Sequence, residues 1–421
     1  MSVTQTRAVF EKAMKSFGFP NGEKIAVAVS GGADSTALCL LAREFVRQNG
    51  GEILALIVDH GLRPCSAQQA RLTAERLKQK GISSRLLFWV GEKPVSGVEQ
   101  AAREARYRLL SDACRAEGCR TLLLGHHRQD QAETFLIRRA KNSGPVGLAG
   151  MSAVRMADFG RILRPLLGVC PADLREYNRA CFMDWVEDET NLSDDFDRGR
   201  LRRILTPAQI DEAFAQTLVY GKKRRALEEN AAVFIRENVV KSDRGYLLFG
   251  QDAFRKLDRE TGLFCLGDFL RFIADRPYAP RSDSLVALAD KICSASFRGA
   301  TLGGCRIAPS TKKQVLVWRE LNDLPGPVTV EGKQRFSWDR FSFLLENPLP
   351  FPITVKPLEH HLRAQEAFPK RAFCVLPALF DNEGLFIVPH LGYKRTKITC
   401  QVMFTPQAAL CETARWTCPV T

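Results

Sequence analysis

Residues 24–48 read Lys-Ile-Ala-Val-Ala-Val-Ser-Gly-Gly-Ala-Asp-Ser-Thr-Ala-Leu-Cys-Leu-Leu-Ala-Arg-Glu-Phe-Val-Arg-Gln. An apolar β-branched run breaks at Ser30-Gly31-Gly32-Ala33-Asp34-Ser35 and passes directly into a helical pattern. This arrangement predicts a phosphate cradle. Gly31 and Gly32 are expected to turn the backbone tightly at positive φ, bringing amide N–H groups against an anion, and the helix N-terminus adds partial positive charge. Ser30 and Ser35 supply hydroxyls, and Asp34 a carboxylate suited to a phosphate-bound Mg2+ ion. The stretch contains neither Gly-x-x-x-x-Gly-Lys-Ser/Thr nor Gly-x-Gly-x-x-Gly, which sets aside the Walker and dinucleotide-binding loops.

Outward from this loop the first half alternates. Apolar runs at 25–29, 53–59, 85–90, 121–125 and 162–166 predict strands, and the amphipathic stretches 35–48, 65–80, 98–117 and 128–141 predict helices between them. Continuous apolar strands alternating with helices imply an α/β domain, a doubly wound, Rossmann-like parallel sheet covered on both faces. Ligands in such sheets bind beyond the carboxyl ends of the strands. There lie the loop 30–35, Asp59 to Arg63, and Gly125-His126-His127.

The 421 residues exceed one ordinary core, and three domains are expected: 1–207 catalytic, 208–320 helical and mixed, and 321–421 small and mostly β, so that a helical linker domain and a mixed α+β region follow the first sheet. Lys and Arg number 61 against 47 Asp and Glu, a net charge of +14 that points to a polyanionic partner. Residues 198–225 concentrate this excess, with Arg198, Arg200, Arg202, Arg203, Lys222, Lys223, Arg224 and Arg225 against Asp211 and Glu212. That is a phosphate-backbone footprint, with a solvated helix face as the alternative for 222–225. The two-residue spacing of Arg198, Arg200 and Arg202 suits an extended segment. No membrane span or leader is read, so a cytoplasmic location is expected. Thirteen cysteines without a Cys-x-x-Cys predict reduced, largely buried thiols and speak against structural zinc or an iron–sulfur cluster.

The string Ser-Gly-Gly-x-Asp-Ser resembles the PP-loop of the N-type ATP pyrophosphatases, which cleave ATP between the α and β phosphates and leave an oxygen of a second substrate adenylated. Further segments follow in order: Val58-Asp-His-Gly-Leu-Arg63, Val98-Glu-Gln-Ala-Ala-Arg-Glu-Ala-Arg-Tyr107, Leu124-Gly-His-His-Arg-Gln-Asp-Gln-Ala-Glu-Thr-Phe135, Gly147-Leu-Ala-Gly-Met151, and residues 188–207. Together they resemble the tRNA(Ile)-lysidine synthetase family, densely over 24–207 and more weakly beyond. The resemblance implies ATP and Mg2+, L-lysine, and a tRNA(Ile) bearing a CAU anticodon whose wobble cytidine becomes lysidine. No membrane partner is implied, and the oligomeric state is left open, a homodimer included. Gln129 and Gly199 depart from the family pattern, which usually has Asp and Asn there.

The residues also read on their own. Asp59 and Arg63 close the second strand where an adenosine ribose or base edge would lie, or else form a helix cap and a solvated cation. His126 ends a strand, and Asp130 and Glu133, three apart, share a helix face that could hold an ammonium ion or a metal. Arg106 could meet the lysine carboxylate, meet developing phosphate charge, or sit in a surface salt bridge. His127 reads as structural. Asp130 or His126 could deprotonate the attacking amine. The rivals are a tRNA 2-thiolase on the same ATP domain and a non-catalytic RNA-binding protein with a vestigial nucleotide fold. Residues from about 208 onward carry no catalytic constellation and are expected to serve recognition.

Overall fold

The computed structural model describes residues 1–421 except 20, 63, 92, 95, 188–196, 312, 363–368 and 418–421. Its first sheet is built from β1 (Lys24–Ala28), β2 (Glu52–Asp59), β3 (Ser83–Phe88), β4 (Thr121–Leu123), β5 (Val154–Ala157) and β6 (Gly160–Leu163), in the order β3-β2-β1-β4-β6-β5. All neighbours pair in parallel except β5, which closes the edge as an antiparallel hairpin with β6. Helices α1 (Val3–Ser16), α2 (Ala33–Gln48), α3 (Ser66–Gln79), α4 (Val98–Ala116), α5 (Arg128–Ala140), α6 (Pro145–Leu148) and α7 (Pro171–Ala180) surround it.

Alternation along β1 explains the two layers. Ile25, Val27 and Val29 pack with Phe10, Leu38, Leu41 and Tyr177 on one face; Ala26 and Ala28 meet Leu110, Ala113 and Cys114 of α4 on the other. Both faces are dry, so the strand shows no polar alternation. The doubly wound expectation is met, and the antiparallel edge, α1 and α7 are additions to it.

By its internal contacts the chain divides into two compact units: Met1–Ala226 with the residues from Arg415, and Leu227–Ala414. The sequence reading places divisions at 207 and 320; the contacts place one inside α9 (Pro207–Asn238), which follows α8 (Asp197–Ile204) and carries the chain onward as a single helix. The first unit is completed by its most distant segment. Trp416 is 2 % exposed, its indole N–H donates to the Ala149 carbonyl at 3.2 Å, and the Ala153 N–H donates to the Thr417 carbonyl. Its ring lies flush on Gly221 of α9, where an added Cβ would come within 1.9 Å of it.

Gly221→Ala should therefore expel the ring, costing roughly 2–4 kcal/mol, the loss of a buried Trp less the gain in helix propensity. Chemical denaturation of Gly221→Ala, Trp416→Ala and the double variant checks this. The two costs should be similar and strongly non-additive; full additivity would mean that the ring and the glycine are energetically independent.

The second unit holds an antiparallel sheet of β7 (Val239–Lys241), β8 (Tyr246–Gly250), β9 (Ala300–Leu302), β10 (Cys305–Thr311) and β11 (Gln314–Arg319), in the order β7-β8-β11-β10-β9. One face packs on α10 (Gln251–Arg255), α11 (Arg259–Ala274) and α12 (Ser282–Cys293). After residue 324 come a five-stranded and a three-stranded antiparallel sheet and α13 (Lys370–Phe373), matching the β-like texture expected there. The described cysteines are all free. Among the described residues no helix is long and apolar enough to cross a membrane.

Candidate active site

The loop between β1 and α2 is built to present its backbone. Gly31 has φ 89°, and a Cβ there would lie 2.6 Å from the Thr73 hydroxyl oxygen, so both conformation and space demand glycine. Gly32, expected at positive φ, instead caps α2 from extended backbone at φ −73°. One left-handed residue is enough for the turn. The loop is anchored from behind: Asn178 donates to the Ala33 carbonyl at 2.8 Å, and the Val186 N–H to the Gly31 carbonyl at 2.8 Å. Ser35 is engaged within the loop, its hydroxyl accepting from the Ser30 N–H and donating to the Gly32 carbonyl, each at 3.1 Å. Ser30 is exposed at the mouth, and the N–H groups of the first turn of α2 have no partner within that helix.

Asp34 opens the polar chain that links the loop to α5. One of its oxygens lies 3.4 Å from His127 Nε2; the other, Oδ1, is buried without a hydrogen-bond partner. On its other side His127 forms a reciprocal cap with Asp130: the His127 N–H donates to Asp130 Oδ2 at 2.9 Å, and the Asp130 N–H to His127 Nδ1 at 3.4 Å. Asp130 and Glu133 share a face of α5, as their spacing predicts, and Arg202 covers that face. Arg202 Nε donates to Glu133 Oε1 at 2.8 Å, and Nη2 to Asp130 Oδ1 at 3.2 Å and Glu133 Oε2 at 3.4 Å.

This changes two readings of residues 198–202. They form α8 rather than an extended segment, so a two-residue spacing does not put all three arginines on one face. Arg202, expected on RNA phosphate, lies instead on the carboxylate pair. Arg200 is exposed, and the side chain of Arg198 falls outside the described residues, as does Arg63. Asp59 is buried and accepts from the Gly61 N–H at 2.8 Å, so its carboxylate shapes the turn after β2. Lys222, Lys223 and Arg225 are exposed on α9, with Lys223 over the Tyr220 ring at 5.5 Å, and Arg224 is half-buried.

Gln131 explains the segment 147–151. It is fully buried, donates to the Met151 carbonyl at 2.8 Å and accepts from the Met151 N–H at 2.7 Å, while Gly150 at φ 67° leaves room for it. The Gln129 side chain, by contrast, makes no hydrogen bond among the described residues, and the paired carboxylates of this site are Asp130 and Glu133.

A cleft of about 180 Å³ opens beyond β2 and β4, lined by His60, Arg103, Arg106, Tyr107, Leu124 and His126. Of these, sequence reasoning singled out Arg106 and His126 and missed the others. Arg106 has no hydrogen-bond or ion-pair partner among the described residues, and the Nδ1 atoms of His60 and His126 are buried and unpartnered. Burial, with Arg106 beside it, pushes His60 below its ordinary value. Although burial works against it, Tyr107 is pulled below the usual phenol range by Arg164, Arg103, Arg106 and Arg155. Nearby cations with so few counter-charges suit an anion.

The two adjacent histidines titrate in opposite directions. Burial pushes His126 down to about 3, only partly offset by Asp130. Burial also acts against charged His127, but Asp130 and Asp34 outweigh it and raise its pKa. Asp130 is correspondingly depressed, against the effect of its own burial, by His127 and His126. In unfolded chain both histidines take up a proton near pH 6.5. His126 therefore costs stability as pH falls below about 6.5 towards 3, whereas the contribution of His127 is complete below 6.5 and is lost as pH rises through its folded-state value. His126→Gln should relieve part of the acid destabilisation, and His127→Gln should remove a decline on the alkaline side. Thermal midpoints of the two variants and the parent across pH 4–9 check both signs.

A PP-loop domain family matches residues 3–209. A tRNA(Ile)-lysidine synthase of Hyphomonas neptunium is 34 % identical over 310 residues, 72 % of this chain and 83 % of that protein. The chain belongs to the tRNA(Ile)-lysidine synthase family. A member from Mesorhizobium japonicum is 32 % identical over 79 % of this chain and 74 % of its own. Another, from Wolbachia sp. subsp. Brugia malayi, is 29 % identical over 94 % of both. The similarity thus runs well past the PP-loop domain into the second unit.

Proposed function

We propose that the chain ligates L-lysine to C2 of the wobble cytidine of a CAU-anticodon tRNA(Ile), through an adenylated intermediate and with release of pyrophosphate and AMP. Family membership carries the reaction. The observation that carries the assignment of roles is the continuous chain Asp34–His127–Asp130–Arg202–Glu133, which couples a phosphate loop to a buried cation site.

In the first step the cytidine C2 oxygen attacks the α-phosphorus of ATP, and pyrophosphate leaves with the electrons of the bond to the α-phosphate. The free N–H groups at the start of α2 take up the charge on the phosphates. The unpartnered Oδ1 of Asp34 fits a phosphate-bound Mg2+ ion, which when bound neutralises that charge. His127, held between Asp34 and Asp130, keeps the Asp34 carboxylate oriented.

In the second step the lysine ε-amine attacks C2, AMP leaves with the electrons of the C2–O bond, and the nitrogen gives up a proton. Asp130 and Glu133 hold the incoming ammonium, and Arg202 must release them. Freed from the pair, Arg202 turns towards RNA phosphate, the role expected from its place among Arg198 and Arg200. His126 stays neutral and accepts a hydrogen bond, and Asp130, whose carboxyl Arg202 helps to hold low, becomes the better base once Arg202 withdraws. Arg106, unpartnered in the cationic cleft, receives the lysine carboxylate or the leaving phosphate.

Incubation with ATP, radiolabelled lysine and a CAU-anticodon tRNA(Ile) transcript tests the whole reading. Label should enter tRNA with stoichiometric AMP and pyrophosphate. Sulfur transfer without lysine incorporation would move the chain to the thiolases, and absence of pyrophosphate release would leave only RNA binding. The basic helix face has its own test: Lys222, Lys223, Arg224 and Arg225 all replaced by Ala should flatten the log–log salt dependence of tRNA binding by up to about three to four units. An unchanged slope would make them a solvated face.

A further inference from the structure

A concavity of about 760 Å³ in the second unit has no role in the chemistry above. It runs along the free edge of β9 and is bounded on its far side by α13 and the residues after it. In register across the sheet, Thr301, Arg306 and Trp318 stand side by side on the face that α13 covers. Trp318 and Val375 are buried and form an apolar floor with Leu321. Arg298, Arg306 and Arg371 stand exposed around it, with Thr301, Asn322 and Glu320 between them.

Two groups of arginines in this unit contrast. Arg319 and Arg340 are buried and engaged: Arg319 donates to the Ala274 carbonyl at 2.6 Å and pairs with Asp323 at 2.9 Å, and Arg340 pairs with Asp339 at 2.8 Å. They hold the fold. Arg298 and Arg306 have no hydrogen-bond or ion-pair partner among the described residues, and Arg371 makes one long bond, to the Pro309 carbonyl at 3.4 Å. Three guanidiniums facing one groove with a single carboxylate repel one another unless an anion lies between them.

The groove also limits the anion. Its volume admits about one or two nucleotides, which suits a single strand better than the broad face of an RNA duplex. Among the described residues the outer edge of β9 pairs with no strand, so its N–H and C=O groups are open to base or ribose edges. From these features we infer that the groove lined by Arg298, Arg306 and Arg371 receives an unpaired stretch of the tRNA substrate, its phosphates on the arginines and its bases or sugars on the β9 edge. The inference rests on tRNA being the substrate, and tRNA offers such a stretch at its single-stranded 3′ end.

The test compares the full-length chain with a variant carrying Arg298→Ala, Arg306→Ala and Arg371→Ala, and with the single variants Arg298→Ala and Arg306→Ala at exposed positions that the fold does not use. Each is titrated at several salt concentrations with a CAU-anticodon tRNA(Ile) transcript and with the same transcript lacking its unpaired 3′ nucleotides. The triple variant should bind the intact transcript roughly ten- to a hundredfold more weakly, with a log–log salt slope smaller by about two units, and each single variant should lose part of this. Trimming the transcript should weaken the parent comparably and leave the triple variant almost unaffected; Arg306→Lys should keep most of the slope. Equal affinities and slopes for parent and variants, or costs of trimming and substitution that simply add, would overturn the inference while leaving the ligase reading intact. A parent chain that binds no tRNA would overturn both.

Discussion

Asp34→Ala is expected to abolish pyrophosphate release, by about a thousandfold or more, while tRNA affinity stays within about threefold of the parent. The carboxylate begins the first turn of the helix that faces the phosphates, and one of its oxygens is buried without a partner, an arrangement costly for the apo protein unless a cation completes it. Its other oxygen touches His127, so removal also frees the histidine to drift and should lower its pKa. Asp34→Asn separates the effects, keeping shape and the contact to His127 but losing charge. Asp34→Cys, assayed with Mn2+ or Cd2+ in place of Mg2+, should recover measurable adenylation with the softer ions if the residue binds metal. Weakened tRNA binding with undiminished pyrophosphate release would move Asp34 out of the phosphate site.

Glu133→Gln should act on the other half of the reaction. Glu133 is fully buried and accepts twice from Arg202, and Gln preserves its volume while removing the charge that an ammonium requires. Lysidine formation should fall by at least about a hundredfold, mostly as a raised KM for lysine. Adenylation of tRNA, followed by pyrophosphate release, should stay within about tenfold. Asp130→Asn should affect both steps, because Asp130 also holds His127. Equal loss of both steps in Glu133→Gln would mark the residue as a scaffold for the phosphate loop and place the lysine ammonium elsewhere.

Legibility in the sequence followed the physics of each region. The parallel sheet was readable because strands buried on both faces are continuously apolar and the helices between them are amphipathic; edges came within three residues. The loop at 30–35 was readable because its glycines, serines and carboxylate are contiguous, although only Gly31 needed a left-handed backbone. The carboxylate pair was readable from helix spacing, but its occupant was not: Arg202 reaches Glu133 across 69 positions, and local spacing carries no trace of that contact. The cationic cleft was half hidden for the same reason, since His60, the α4 residues Arg103 and Tyr107, and His126 come from three separate stretches of chain and meet only once the sheet is formed. His127 did leave a signal, the cap with an acid three residues on, which also fits a purely structural role. In the second unit the strands are short and several interrupt each other with turns, so composition indicated β structure without its pairing.

The return of Trp416 to the first unit sets an order of events during synthesis. A ribosome releases the loop, the sheet and α5 early, yet the aromatic plug over Ala149 and Gly221 emerges only after all 188 residues of the second unit, 227 to 414, have been made. Until then the nascent catalytic unit carries an open apolar seam, a natural place for a chaperone to hold it. The same seam makes a fragment ending near Pro207 a poor proxy for the catalytic half, because such a fragment lacks both the helix that bears Gly221 and the ring that rests on it. A faithful excision would join residue 226 to residue 415 through a short linker, restoring the plug while removing the inserted unit.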